Sequence, residues 1–138
     1  MPKSKHRVII DTNLWISSLL TKDFLILDKA FSEEKIILLF SEQLLKELIA
    51  VARRPKFRKY FSNDDLANLL TIIHERAEFI SITSAIQICR DPKDDFLLSL
   101  SIDGNANILI TGDKDLLEIG KFGKTRIITI STFLATIF

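Results

Sequence analysis

The feature that most limits what this chain can fold into is a set of short runs without a polar residue. Val8-Ile9-Ile10 stops at Asp11, Ile36 to Phe40 stops at Ser41, and Ile108-Leu109-Ile110 stops at Thr111. Successive strand residues point to opposite faces, so an all-apolar strand has to be covered on both. Between these runs lie stretches with helical spacing, and the alternation predicts an α/β fold. The expected architecture is three layers, α/β/α, around a central and mostly parallel sheet. Right-handed crossovers then bring every strand-to-helix turn to one edge of the sheet. Ligands of open sheets bind there, at the carboxyl ends of the strands. Asp11 and Asp113 each follow a strand and are candidates to meet at that edge.

The remaining elements fall between these anchors. A helix is predicted through Leu14, Trp15, Ile16, Leu19 and Leu20, and a second from Phe24 to Ser32. Ser41 stands where an N-cap belongs, before the stripe Leu44, Leu45, Leu48, Ile49 and Ala52, and Pro55 ends that helix. Ser62 caps a long helix over Asp64 to Glu78. Phe79 to Ile82 reads as a short strand. Asp91-Pro92 starts a helix that runs through Leu100 and Ile102, with Gly104 placed to end it. Thr111-Gly112-Asp113 is a tight turn, Leu116-Leu117 a helical turn, Arg126 to Thr129 the last strand and Thr132 to Ile137 the last helix.

Composition excludes several classes. With 138 residues, 47% hydrophobic and 27% charged, the chain is expected to form one globular domain over residues 1–138. No apolar run reaches the length of a membrane span, and Asp11 interrupts the apolar start too early for a signal peptide. One cysteine and two histidines leave neither an internal disulfide nor a Cys/His zinc cluster, which fits a reducing cytoplasm. The sequence has no Gly-rich phosphate loop, no G-x-S-x-G and no H-E-x-x-H.

What stands out instead is acid. From Asp91 to Asp115 six carboxylates (Asp91, Asp94, Asp95, Asp103, Asp113 and Asp115) face two lysines, around a helix and a strand that read as buried. Negative charge beside a core is unfavourable unless something positive joins it, and a divalent cation would serve. Asp91 reads as an N-cap, and Asp94 as a first-turn acid favoured by the helix dipole. Asp95 has less of a capping task and leads into Phe96-Leu97-Leu98, so it is the stronger ligand candidate of the pair. Asp11-Thr12-Asn13 offers a carboxylate, a hydroxyl and an amide at a strand end, although Asp11 also fits a capping role. Asp113 lies nearer its strand than Asp115. Glu42 and Glu47 compete on one helix, and Glu47 is preferred because Glu42 is already explained by the helix dipole. Four converging carboxylates with Mg2+ or Mn2+ would activate a water for phosphodiester hydrolysis.

Three blocks, in order VIIDTNLWISSLL, SEQLLKELIAVARRPKF and DPKDDFLLSLSIDGNANILITGDKDLL, resemble the PIN domain, a family of metal-dependent ribonucleases. That family includes many toxins of toxin–antitoxin pairs. The resemblance implies a central parallel sheet between helices, and catalytic, metal-binding acids at Asp11, Glu47, Asp95 and Asp113, with Asp115 as an accessory ligand. Asp95 is taken over Asp94 because Leu98 then falls at the family's apolar helix position. Asn13 and Thr111 are implied to orient the acids or bound water. A homodimer and a cognate antitoxin are implied partners.

Arg53, Arg54, Lys56, Arg58 and Lys59 set five cations within seven residues, beside Phe57, Tyr60 and Phe61. They read either as a solvated helix end or as an RNA-binding patch with aromatics for base stacking. The expected function is a Mg2+- or Mn2+-dependent endoribonuclease acting as a toxin. The alternative is an RNA-binding module of the same fold that does not cut, and a receiver-like Mg2+ domain is a weaker third. His74 and Trp15 are expected to be structural.

Overall fold

The computed structural model describes residues 5–21, 35–89 and 91–137, so the helix expected over Phe24 to Ser32 lies outside the described residues. The all-apolar runs become neighbouring central strands. β1 (His6–Ile10), β2 (Ile36–Phe40) and β4 (Ile108–Ile110) are parallel, with Val8 beside Leu38 on one flank and Ile108 on the other. β3 (Glu78–Phe79) extends the sheet beyond β2, and β6 (Thr125–Ile128) and β5 (Lys121–Phe122) extend it beyond β4. The six strands take the order β3-β2-β1-β4-β6-β5. Among the described residues only β5 is antiparallel, a two-residue edge strand that pairs with β6.

Helices cover the sheet on both faces: Val8, Ile9, Leu38, Leu39 and Leu109 are all essentially inaccessible to water, although neighbouring strand residues point opposite ways. The helices are α1 (Thr12–Thr21), α2 (Glu42–Ala52), α3 (Asn63–Arg76), α4 (Pro92–Asp103), α5 (Lys114–Ile119) and α6 (Ile130–Ile137). Their starts follow local chemistry. Ser41 accepts the Leu44 amide at the head of α2, and Ser62 and Asp65 cap α3 reciprocally. Trp15 and Phe40 tilt against each other at 5.7 Å and pin α1 to the sheet.

Gly104 does not end α4 by taking a left-handed conformation; Asn105 does, at φ 52°. Gly104 is required for space, because a Cβ there would lie 2.9 Å from the Leu100 carbonyl and 3.0 Å from Leu39. Its carbonyl accepts from Arg7 Nε at 2.8 Å, and Arg7 also pairs with Glu78, which ties together the amino end of the sheet. Among the described residues the opposite end is closed by no such pair. There the chain order reverses between β1, whose successors lie to one side, and β4, whose successors lie to the other, which is where open sheets hold their ligands.

Candidate active site

Ile10 pairs with Ile110, and the Asp11 amide continues the ladder to the Ile110 carbonyl at 3.0 Å. Asp11 and Thr111 therefore emerge side by side from the two central strands. Both are buried, and the Thr111 hydroxyl donates to Asp11 Oδ2 at 2.7 Å. The same hydroxyl accepts the Asp113 amide at 3.1 Å, which sets the turn that follows β4. Asp113 then caps α5, accepting the amides of Asp115 at 2.8 Å and Leu116 at 3.2 Å. From α2, which packs against α1, Glu47 reaches the start of α1, where Thr12 donates to its Oε2 at 2.8 Å.

Electrostatics show which acids share this space. Burial pushes the Asp11 carboxyl above its ordinary range, the Thr111 hydrogen bond opposes this, and the charges of Glu47 and Asp113 add to it. Asp94 is pushed up to about 6, by burial first and then by Asp113, Asp91, Asp11 and Asp115. Asp95 belongs elsewhere. Its Oδ1 accepts the amides of Cys89 at 2.9 Å and Ile88 at 3.1 Å, and these bonds hold its carboxyl below the usual value.

The two acids thus have different surroundings from those expected of them. Asp94 joins the cluster and Asp95 anchors the preceding loop, because successive helix residues point about 100° apart and one step of register changes the face.

Among the described residues no lysine or arginine pairs with Asp11, Glu47, Asp94, Asp113 or Asp115. Nor, among the described residues, do three acidic side chains stand close enough to clasp an ion as they are. The donors are carboxylates and hydroxyls, the hard oxygen set that suits Mg2+ or Mn2+.

A family model described as the PIN domain matches residues 7 to 115, which span every one of these acids. The chain belongs to the PIN domain family. An uncharacterized protein of Methanocaldococcus jannaschii, MJ1680, is 37% identical over 123 residues, covering 86% of this chain and 78% of that one. The fold is similar to a chain in the crystal structure of VapBC2 from Rickettsia felis bound to a DNA fragment from their promoter. That likeness has a TM-score of 0.57 at 14% identity and covers 88% of this chain and 96% of the other.

Asn13, expected to orient the acids, is exposed and makes no side-chain hydrogen bond among the described residues. Thr12, one residue earlier, is buried and holds Glu47 instead. The signal for it was present in the Asp-Thr-Asn run. Gly112 takes no left-handed conformation, and a Cβ there would meet nothing within 4 Å, so the turn does not require glycine. Burial, then the hydrogen bond and charge of Asp95, push the Cys89 thiol up to about 12, which disfavours the thiolate.

The five cations are all exposed at the far end of α2. Arg53 lies six residues past Glu47, about 9 Å along the helix axis. Pro55–Phe57 forms a 3-10 turn, with Lys56 5.0 Å over the Phe57 ring and Lys59 5.7 Å over that of Tyr60. Arg53 and Arg58 line a cavity of about 750 Å³ with Phe61, Ser62 and Asn63. Among the described residues none of the five cations pairs with a carboxylate.

Proposed function

We propose that this PIN domain is a Mg2+- or Mn2+-dependent endoribonuclease that hydrolyses RNA phosphodiester bonds, and the toxin of a toxin–antitoxin pair. One observation carries the reading: among the described residues, the acids gathered at the carboxyl ends of β1 and β4, with Asp11 and Asp94 buried, pair with no cationic side chain. PIN domains are generally metal-dependent nucleases, which supports the same chemistry. The likeness to a VapBC2 chain supports a cognate antitoxin as protein partner. A homodimer and a cytoplasmic setting complete the reading.

Asp11, Asp94 and Asp113, with Glu47 and Asp115, would hold the ion. A bound divalent cation supplies an activated water and neutralises charge on the phosphate. The chain's own residues prepare the site. Thr111 and Thr12 orient the carboxylates of Asp11 and Glu47 before substrate arrives, and the Asp113 cap fixes the turn behind them. Arg53, Arg54, Lys56, Arg58 and Lys59 draw the polyanion toward an edge that would otherwise repel it.

The test is incubation of the purified protein with a pool of cellular RNAs in Mn2+, Mg2+ or EDTA, followed by mapping of the new ends. Cleavage is expected with metal only, and is expected to be abolished in Asp11→Asn and Asp113→Asn. RNA binding that survives EDTA, with no product under any metal, would instead make the chain a module that holds RNA without cutting it.

A further inference from the structure

A second concavity opens on the same edge of the sheet. Its volume is about 690 Å³, and Gln43, Lys46, His74, Phe79 and Ser81 are among its walls. That size lies within the roughly 300–1,000 Å³ of small-molecule sites. Its place follows from the topology, since α2 begins where β2 ends and β3 ends beside it. Gln43 precedes Glu47 by four residues, so the two share a helix face about 6 Å apart along the axis. A narrow crevice lined by Ser41, Gln43, Glu47 and Phe96 meets the larger one at Ser41 and Gln43.

The walls carry a particular chemistry. Phe79 is 38% exposed, and its ring stacks on the His74 imidazole at 5.5 Å and 13°. Phe40 supports it from the core at 6.0 Å. Among the described residues Gln43, Lys46 and His74 make no side-chain hydrogen bond or ion pair within the chain. An open aromatic pair offers a π face to any base, an amide both donates and accepts along a base edge, and an ammonium meets phosphate.

We propose that this pocket holds the unpaired base of the RNA nucleotide next to the scissile bond, stacked on Phe79 and His74 and read by Gln43. The inference rests on the ribonuclease reading for what is cut, and its test separates the two by measuring binding without cutting. Short single-stranded oligoribonucleotides carrying one 2-aminopurine, at each position in turn, are titrated with the full chain in EDTA. The same oligomers with that base removed serve as the reference.

Wild type should quench the probe at one position. Phe79→Ala and Gln43→Leu should each bind that oligomer about 5- to 100-fold more weakly, with affinity for the abasic oligomer unchanged. Gln43 is exposed on α2, so its variant keeps the fold even where Phe79→Ala does not. In Mn2+ the cut ends should lose their flanking-base preference in the same variants. Equal losses on base-bearing and abasic oligomers, or no loss with Gln43→Leu, would overturn the pocket. Quenching that depends on Gln43, without cleavage under any metal, would keep the pocket and remove the nuclease.

Discussion

On α4 two adjacent aspartates face different parts of the molecule. Asp95 begins a stripe, continued four and eight residues on by Ser99 and Asp103, along which an extended segment is tied down. Ser99 accepts the Ile86 amide at 3.4 Å, and Asp103 accepts the amides of Thr83 at 2.7 Å and Ser84 at 2.9 Å. Hydrogen bonds to Ser84 and Thr83 hold the Asp103 carboxyl below the ordinary value, as bonds to Cys89 and Ile88 do for Asp95. Asp94 has a different environment: burial and four other acids, all of which oppose its charge. A carboxylate that accepts N–H groups is stabilised in its charged form, whereas one set among carboxylates favours a proton or a cation. One face of the helix therefore holds the neighbouring segment, and the other faces the remaining acids.

The contrast can be broken by substitution. Asp94→Asn should reduce metal-dependent cleavage at least about 1,000-fold, a loss of roughly 4 kcal/mol in transition-state stabilisation, while the circular dichroism spectrum stays unchanged. Asp95→Asn should stay within about tenfold of wild type in the same assay, because it lies outside the cluster and keeps an acceptor for the loop amides. If Asp95→Asn were the inactive variant, the assignment of the two faces would be reversed.

Stability should respond in the opposite sense. Asp95→Ala leaves two amides without their acceptor and should lower the urea midpoint relative to wild type. Asp94→Asn should cost nothing in the absence of metal. A smaller effect sharpens the cluster side: Thr111→Val removes the hydrogen bond that orients Asp11 and should weaken Mn2+ binding about 10- to 100-fold, measured by titration.

The smallest effect is in the pH dependence. Asp94 has a folded value of about 6, above the ordinary 3.8 of an unfolded chain. Folding therefore takes up a proton between those values, and this group's contribution to stability falls as pH rises through the window. Without metal, wild type should be about 1 kcal/mol more stable at pH 5 than at pH 7.5, and Asp94→Asn should flatten that slope. Asp95 and Asp103, held low, lose their stabilising contribution only below the ordinary carboxylate range. Calorimetric melts across pH would separate the two.

Much of this was legible in the residues. Runs such as Ile36 to Phe40 admit few uses other than a covered strand, and once three of them lie in parallel, the carboxyl edge and the meeting of Asp11 with Thr111 and Asp113 follow from topology. The edge strand Lys121–Phe122 was not legible, since two residues of mixed polarity carry no periodicity and its partner supplies the pairing. The order of Asp94 and Asp95 was not legible either. Both suit the first turn of a helix, and what separates them is the docking of residues 83–89, whose alternation of exposed and half-buried side chains is set by contact with α4. Thr12 went unassigned for a related reason: its partner Glu47 is 35 residues away.

In the proposed site Asp94, with Asp11 and Asp113, holds a divalent cation, and Asp95 is excluded from it. Electron paramagnetic resonance of Mn2+ titrated into the metal-free protein tests this most directly. Wild type and Asp95→Asn should bind Mn2+ with affinities within about threefold of each other, while Asp94→Asn should bind at least about 100-fold more weakly. Binding lost in Asp95→Asn but retained in Asp94→Asn, or no specific binding by wild type, would contradict it.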